Sequence, residues 1–172
     1  MVREFSAGGV VLRRLRGQWQ MAAIRPRRDR KTGARAEKEV LALPKGIVDP
    51  GERPEQTAAR EVREETGVDA DMVAKLGDIK YVYVRSWGDG ERVFKIVSFY
   101  LFLYRAGKLG DIAPDMQHEV EGAEWILLAD APARLSYSGE RDMARRALDY
   151  VAAHPDLAKT ASPRRHEGTK DT

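Results

Sequence analysis

The stretch PEQTAAREVREET, residues 54–66, constrains the fold more than any other part of the chain. Its opening proline has a fixed φ suited to the first helical position, and Gly67 beyond its end can take the left-handed cap conformation. Each helical residue advances about 100°, so Glu61, Glu64 and Glu65, at i, i+3 and i+4, project within an arc of roughly 100°. Ala59 and Val62 are expected on the other side as the packing stripe, with Ala58 bordering both regions. Like charges at this spacing oppose a helix, more strongly in a partly dehydrated cleft. Arg60 reaches Glu64 at i+4 but cannot balance all of these anions. Oxygen donors without a cysteine or a histidine cluster suit a hard divalent cation, Mg²⁺ or Mn²⁺. For the run REVREE alone, a solvated acidic helix face is the competing reading.

The surrounding chain is rich in strand signals. SAGGVVLRR (6–14) and QWQMAAIRP (18–26) flank Arg16-Gly17 and predict two strands joined by a tight turn. A short strand is expected through EVLALP (39–44), and two more at 75–86 and 92–104, separated by WGDGE with its turn-forming Asp-Gly. AEWILL (123–128) predicts another. A second helix is expected from Glu140 to His154, with Ser138 as its cap and Met143, Ala147, Leu148 and Val151 as its apolar stripe. With 172 residues the chain is expected to form one domain over 1–154, followed by a disordered tail, 155–172.

The chain contains no cysteine, which excludes a disulfide framework, a thiolate metal site and a cysteine nucleophile. The apolar run near the N-terminus is too short and too interrupted by charge for a signal peptide or membrane span, so the expected location is the cytoplasm. Net charge is +3, but residues 25–38 carry seven Lys/Arg against two acids, leaving a mildly acidic body with one basic segment. That segment reads either as a solvated loop or as an anion site in which Arg25, Arg27 and Arg28 grip phosphates.

Upstream of the helix, Gly46 and Glu52 complete a longer pattern: glycine, five residues, glutamate, seven residues, then Arg60, Glu61, Val62, Glu64, Glu65, Gly67 and Val68. This pattern resembles the Nudix box at every specified position, and the order of flanking elements extends the likeness over residues 4–153. The resemblance implies an α/β Nudix fold, a mixed β-sheet sandwiched between α-helices. It also implies Mg²⁺-dependent hydrolysis of a nucleoside diphosphate linked to another moiety. By the same likeness Glu64 and Glu65 hold the metal, Glu61 is a ligand or the base that orients water, and the backbone carbonyl of Lys45 joins the coordination. Glu52 and Arg60 brace the loop against the helix, and Gly46 and Gly67 shape it. The family has no single catalytic base, so that assignment stays open. Outside the box, Glu119 and Glu121 precede a predicted strand; Glu119 is a candidate metal or water-orienting residue, His118 a weaker one.

The substrate is less constrained. The sequence LPKG before the box resembles dinucleoside polyphosphate hydrolases, and Tyr83, sixteen residues after Gly67, stands near where those enzymes tend to carry a tyrosine. These features lean toward a diadenosine polyphosphate, with the Lys45 side chain on phosphate and Tyr83 against adenine. Tyr83 also reads as strand packing, the commoner role of a strand tyrosine. Diphosphoinositol polyphosphates and an RNA 5′ end are the alternatives. The rivals of another class are a catalytically silent Nudix domain and a nucleic-acid-binding module using the basic loop. The expected partner is a small nucleotide or polyphosphate, with RNA less favoured and no membrane.

Overall fold

The structure, a computed structural model, describes residues 1–27 and 39–161. Its centre is strand β1 (Val2–Leu15), which pairs in parallel with β5 (Arg92–Gly107) from Val2↔Val93 to Leu12↔Leu103. On its other edge β1 runs antiparallel first to the short β3 (Lys45–Ile47) and then to β2 (Gln18–Pro26). Strands β4 (Val68–Val84) and β6 (Val120–Leu127) complete the order β4-β5-β1-β2-β6, with β3 alongside β1. Arg16 and Gly17 have φ values of 52° and 76°, the left-handed pair that matches strand twist in a two-residue hairpin.

Alternation along the central strands sorts their side chains to two faces. Val10 and Leu12 join Val97, Phe99 and Leu101 beneath helix α3 (Ser138–Ala153), which contributes Met143, Ala144 and Ala147. Ala7 and Val11 join Tyr100 and Phe102 beneath helix α1 (Pro54–Thr66), which contributes Ala58 and Val62. This is the expected mixed sheet between helices. Two shorter helices, α2 (Ala131–Arg134) and α4 (Leu157–Ala161), finish the described chain, and no helix in it is long and apolar enough to cross a membrane.

Several local expectations change. Residues 39–44 are not a strand: a single bridge, Ile24↔Ala42, replaces a ladder, and pairing starts at Lys45. The apolar signal there reflects burial of Leu41, Ala42 and Leu43 in an extended chain. Ser138 is the first residue of α3 and not its cap; Tyr137 holds the cap position without a side-chain cap bond. Strand β4 starts at Val68, the last residue of the box, seven residues before the strand expected at 75–86, and absorbs three register shifts. Within the segment expected to be disordered, Leu157–Ala161 is helical, because Leu157 and Ala161 pack on the α3-side core. Residues 162–172 lie outside the described residues.

Candidate active site

The loop between β3 and α1 is tied by one guanidinium. Arg60 donates from Nε to Glu52 Oε2 at 2.8 Å and from Nη2 to Glu52 Oε1 at 2.9 Å, a bidentate pair. Thr57 Oγ1 adds a bond to Glu52 Oε1 at 2.6 Å, and these donors hold the Glu52 carboxyl down to about 2. The other arm of Arg60, Nη1, reaches Glu61 Oε1 at 2.9 Å and Glu64 Oε2 at 3.2 Å. Glu52 and Arg60 thus brace loop and helix as the motif suggested. Helix α1 starts with Pro54, Gln56 accepts the Arg53 N–H at 2.9 Å, and Gly67 closes it at φ 82°.

The acids do not stand opposite the packing stripe. Ala58, Glu61, Val62 and Glu65 are all buried, whereas Ala59 is exposed, which corrects the expected assignment of faces. The apolar stripe runs through Ala58 and Val62, and Glu61 and Glu65 lie along its border under β3. Gly46 makes this possible: a Cβ there would sit 2.0 Å from Glu61 Oε1. Glu65 Oε2 accepts the Lys45 backbone N–H at 3.1 Å. Burial, then the Glu61 charge beside it, push the Glu65 carboxyl up to about 8; burial raises Glu61 as well.

Among the described residues no three acidic or imidazole side chains already converge in a metal-holding group, and Arg60 stands between Glu61 and Glu64. The residues nevertheless fit a hard divalent cation. Glu61 Oε2 is buried with no hydrogen-bond partner, and Glu65 is a carboxyl whose burial, with the Glu61 charge beside it, favours the protonated form. Both are oxygen donors, and a cation between them would reverse the unfavourable burial of charge. Glu119 contributes to the negative potential at Glu61 and Glu65, but its own carboxylate is more than half exposed, 3.4 Å from His118. It borders the site without joining it.

On the α3 face of the sheet lies a cavity of about 740 Å³, lined by Lys45, Ile79, Lys80, Tyr81, Phe99 and Tyr137 among others. Lys45 belongs to both places. Its amide is on Glu65, while its Nζ is 2.7 Å from Glu140 Oε2 and 5.4 Å from the Tyr137 ring centroid. Tyr83 is not in the cavity; its hydroxyl donates to Glu4 Oε2 at 3.0 Å, next to the Lys95–Glu4 ion pair. Tyr81, two residues earlier on the same side of β4, lines the cavity instead. Arg25 pairs with Glu39 and Glu124 at 3.6 Å each, and Arg27 Nε donates to the Gln117 carbonyl at 3.0 Å, so both serve as bridges to neighbouring segments. Arg28, with most of the basic segment, lies outside the described residues. Sequence reasoning missed Tyr81, Tyr137 and Glu140. Tyr81 was legible as the strand neighbour of Tyr83, whereas Glu140 lies 97 residues from its partner Leu43.

Residues 4–147 match the NUDIX domain family. The chain is 39% identical over 178 residues to a Mycobacterium tuberculosis protein named as mutator protein MutT4, an alignment that spans 98% of this chain and 66% of that one. In fold it is similar to a Caenorhabditis elegans Ap4A hydrolase binary complex, with TM-score 0.62 and 22% identity over 89% of this chain and 99% of that one. It is also similar to the NUDIX domain of Shewanella oneidensis NrtR complexed with ADP ribose, with TM-score 0.60 and 18% identity over 88% and 90% of the two chains. A MutT NUDIX hydrolase from Burkholderia pseudomallei gives TM-score 0.58 and 20% identity over 85% and 98%. Nudix hydrolases generally use divalent metal ions and act on small nucleotide substrates. With the complete box folded as loop and helix against β3, the chain belongs to the Nudix family.

Proposed function

We propose that this chain is a pyrophosphohydrolase that cleaves a phosphoanhydride bond of a diadenosine polyphosphate, with Mg²⁺ as its metal and Mn²⁺ as a substitute. The observation that carries the reading is the double attachment of Lys45, by its amide to the buried acidic face and by its side chain to the wall of a nucleoside-sized cavity. A phosphate chain running past Lys45 would leave its base in the cavity and its anhydride near Glu61, Glu64 and Glu65. Tyr81 and Tyr137, 43% and 49% exposed, are aromatic rings of the kind on which a purine stacks. The similarity to an Ap4A hydrolase supports the same choice.

In this reading Glu64, Glu65 and the Lys45 carbonyl hold the metal, which supplies charge neutralisation and a water of lowered pKa. Glu61 serves as a ligand or as the base, with Oε2 free to take a proton from water or to orient it. Lys45 Nζ would supply a positive charge to the bridging oxygen as it becomes negative. Arg60 and Glu52 keep the three carboxylates in register. The proposed setting is the cytoplasm.

Diphosphoinositol polyphosphate is the second reading, favoured by Lys45 and Lys80 on the cavity wall; Glu140 and Asp142 on that wall weigh against so anionic a ligand. An RNA 5′ end would need the basic segment as a track. Incubation with Mg²⁺ and a panel of diadenosine polyphosphates, nucleoside triphosphates, nucleotide sugars, inositol pyrophosphates and triphosphorylated RNA separates these. Fastest release of ATP or ADP with a mononucleotide from the dinucleotides is expected. Preference for inositol pyrophosphates or RNA would reject the assigned substrate, and nucleotide binding without turnover would reject hydrolysis of the tested bonds.

A further inference from the structure

Glu140 lies outside the box, in the first turn of α3, yet it is only 3% exposed and both of its oxygens are engaged. Oε1 accepts the Leu43 backbone N–H at 2.6 Å, and Oε2 pairs with Lys45 Nζ at 2.7 Å. A buried carboxylate is costly unless its partners are in place, so this one selects a particular path for residues 43–45. The rest of the segment is held by the Ile24↔Ala42 bridge, by Ser136, whose Oγ accepts the Leu41 amide and whose amide donates to the Leu41 carbonyl, each at 3.0 Å, and by the Gly9 amide, which donates to the Pro44 carbonyl at 3.1 Å; among the described residues only Glu140 engages the Leu43 amide and the Lys45 side chain together. From there the chain enters β3, where the Lys45 amide meets Glu65. The Lys45 ammonium, which burial alone would make less basic, is instead kept firmly protonated by Glu140.

We infer that Glu140 is a positioning residue for the reaction: by gripping Leu43 and Lys45 at once, it sets the Lys45 backbone against Glu65 and the Lys45 ammonium at the cavity wall. The two grips are separable. Glu140→Gln retains an oxygen for the Leu43 amide but loses the charge that holds Lys45, whereas Glu140→Ala loses both.

The inference rests on the proposed chemistry for its kinetic readout only, so two further readouts on the full chain accompany it: Mn²⁺ affinity by electron paramagnetic resonance, and hydrogen exchange of the Lys45 amide by NMR. Glu140→Ala is expected to weaken Mn²⁺ binding and lower kcat about tenfold each, with exchange at Lys45 faster by a similar factor. For Glu140→Gln, Mn²⁺ affinity and exchange stay within about twofold while KM for the preferred panel substrate rises about tenfold, the loss of one held charge. If both variants match the wild type in Mn²⁺ affinity, amide exchange and KM, Glu140 merely anchors α3 and the inference is overturned, whatever happens to thermal stability. Should Glu140→Ala fail to fold, an unchanged KM in Glu140→Gln overturns it alone. If the wild type hydrolyses nothing in the panel, the proposed activity fails, and Mn²⁺ affinity and amide exchange in the variants still decide the role of Glu140.

Discussion

At the scale of single residues, Glu65 carries a conflict that either a proton or a bound cation resolves. Its carboxyl is pushed up to about 8 against a reference near 4.3, so the folded state binds a proton that the unfolded state has already released. A raised carboxyl pKa gives stability that is complete below the unfolded value and lost as pH rises toward 8. The metal-free protein should therefore melt at a lower temperature at pH 8 than at pH 5.5, through this group and the likewise raised Glu61. Mg²⁺ should restore more of the melting temperature at pH 8, because ligation favours the deprotonated form. In Glu65→Gln the metal-free protein should melt higher than wild type at pH 8, with most of the Mg²⁺ effect gone and turnover reduced at least about 100-fold. Calorimetry across pH with and without Mg²⁺ checks the first part; a Glu65→Gln enzyme of near-normal activity would remove Glu65 from the site.

At the scale of elements, the loop and helix of the box form one braced unit, and Arg60 is the brace. Arg60→Ala would leave Glu52 without its bidentate partner and set Glu61 and Glu64 against each other without a cation. Because these groups are partly exposed, screening limits the loss to about 2 kcal/mol, a fall of roughly 4–8 °C in melting temperature for a domain of this size. A drop in that range that high salt does not abolish is the expected result. Gly67→Ala tests the other end of α1. At φ 82° an alanine is strained, and its Cβ would come within 2.3 Å of the Asp111 carbonyl oxygen, so a loss of at least about 2 kcal/mol is expected by denaturant titration. Both features were legible in the chain, because the helix is bounded by Pro54 and Gly67 and its charges repeat with helical spacing. What misled was local pattern without tertiary context: Ala59 looked like packing until β1 and β5 met the helix through Ala58 and Val62, and residues 39–44 looked like a strand because burial alone selects the same apolar residues.

At the scale of the whole molecule, the sheet separates two tasks. The acidic helix packs on one face, the cavity opens on the α3 face, and β3 with Lys45 passes between them. Sequence order revealed the first task, since its residues are contiguous in Gly46 to Val68; the second is assembled from Lys45, Tyr81 and Tyr137, which only the fold brings together. If the tasks are physically separate, their perturbations should multiply. Tyr81→Ala removes one aromatic face from the cavity and should raise KM about tenfold with kcat little changed, since stacking on a base contributes about 1–3 kcal/mol. Glu64→Gln alters a carboxylate whose recorded partner is Arg60 and should lower kcat by about 100-fold or more with KM little changed. Among the described residues the two side chains have different partners, Arg60 and Tyr83, so the double variant should show the full tenfold KM effect on top of the full kcat effect. Steady-state kinetics on the four proteins with one dinucleoside polyphosphate measures the coupling directly. A KM effect of Tyr81→Ala that vanishes in the Glu64→Gln background would mean that base and metal are bound by one interdependent site, and that Lys45 transmits strain between the faces instead of merely marking where the phosphate chain crosses.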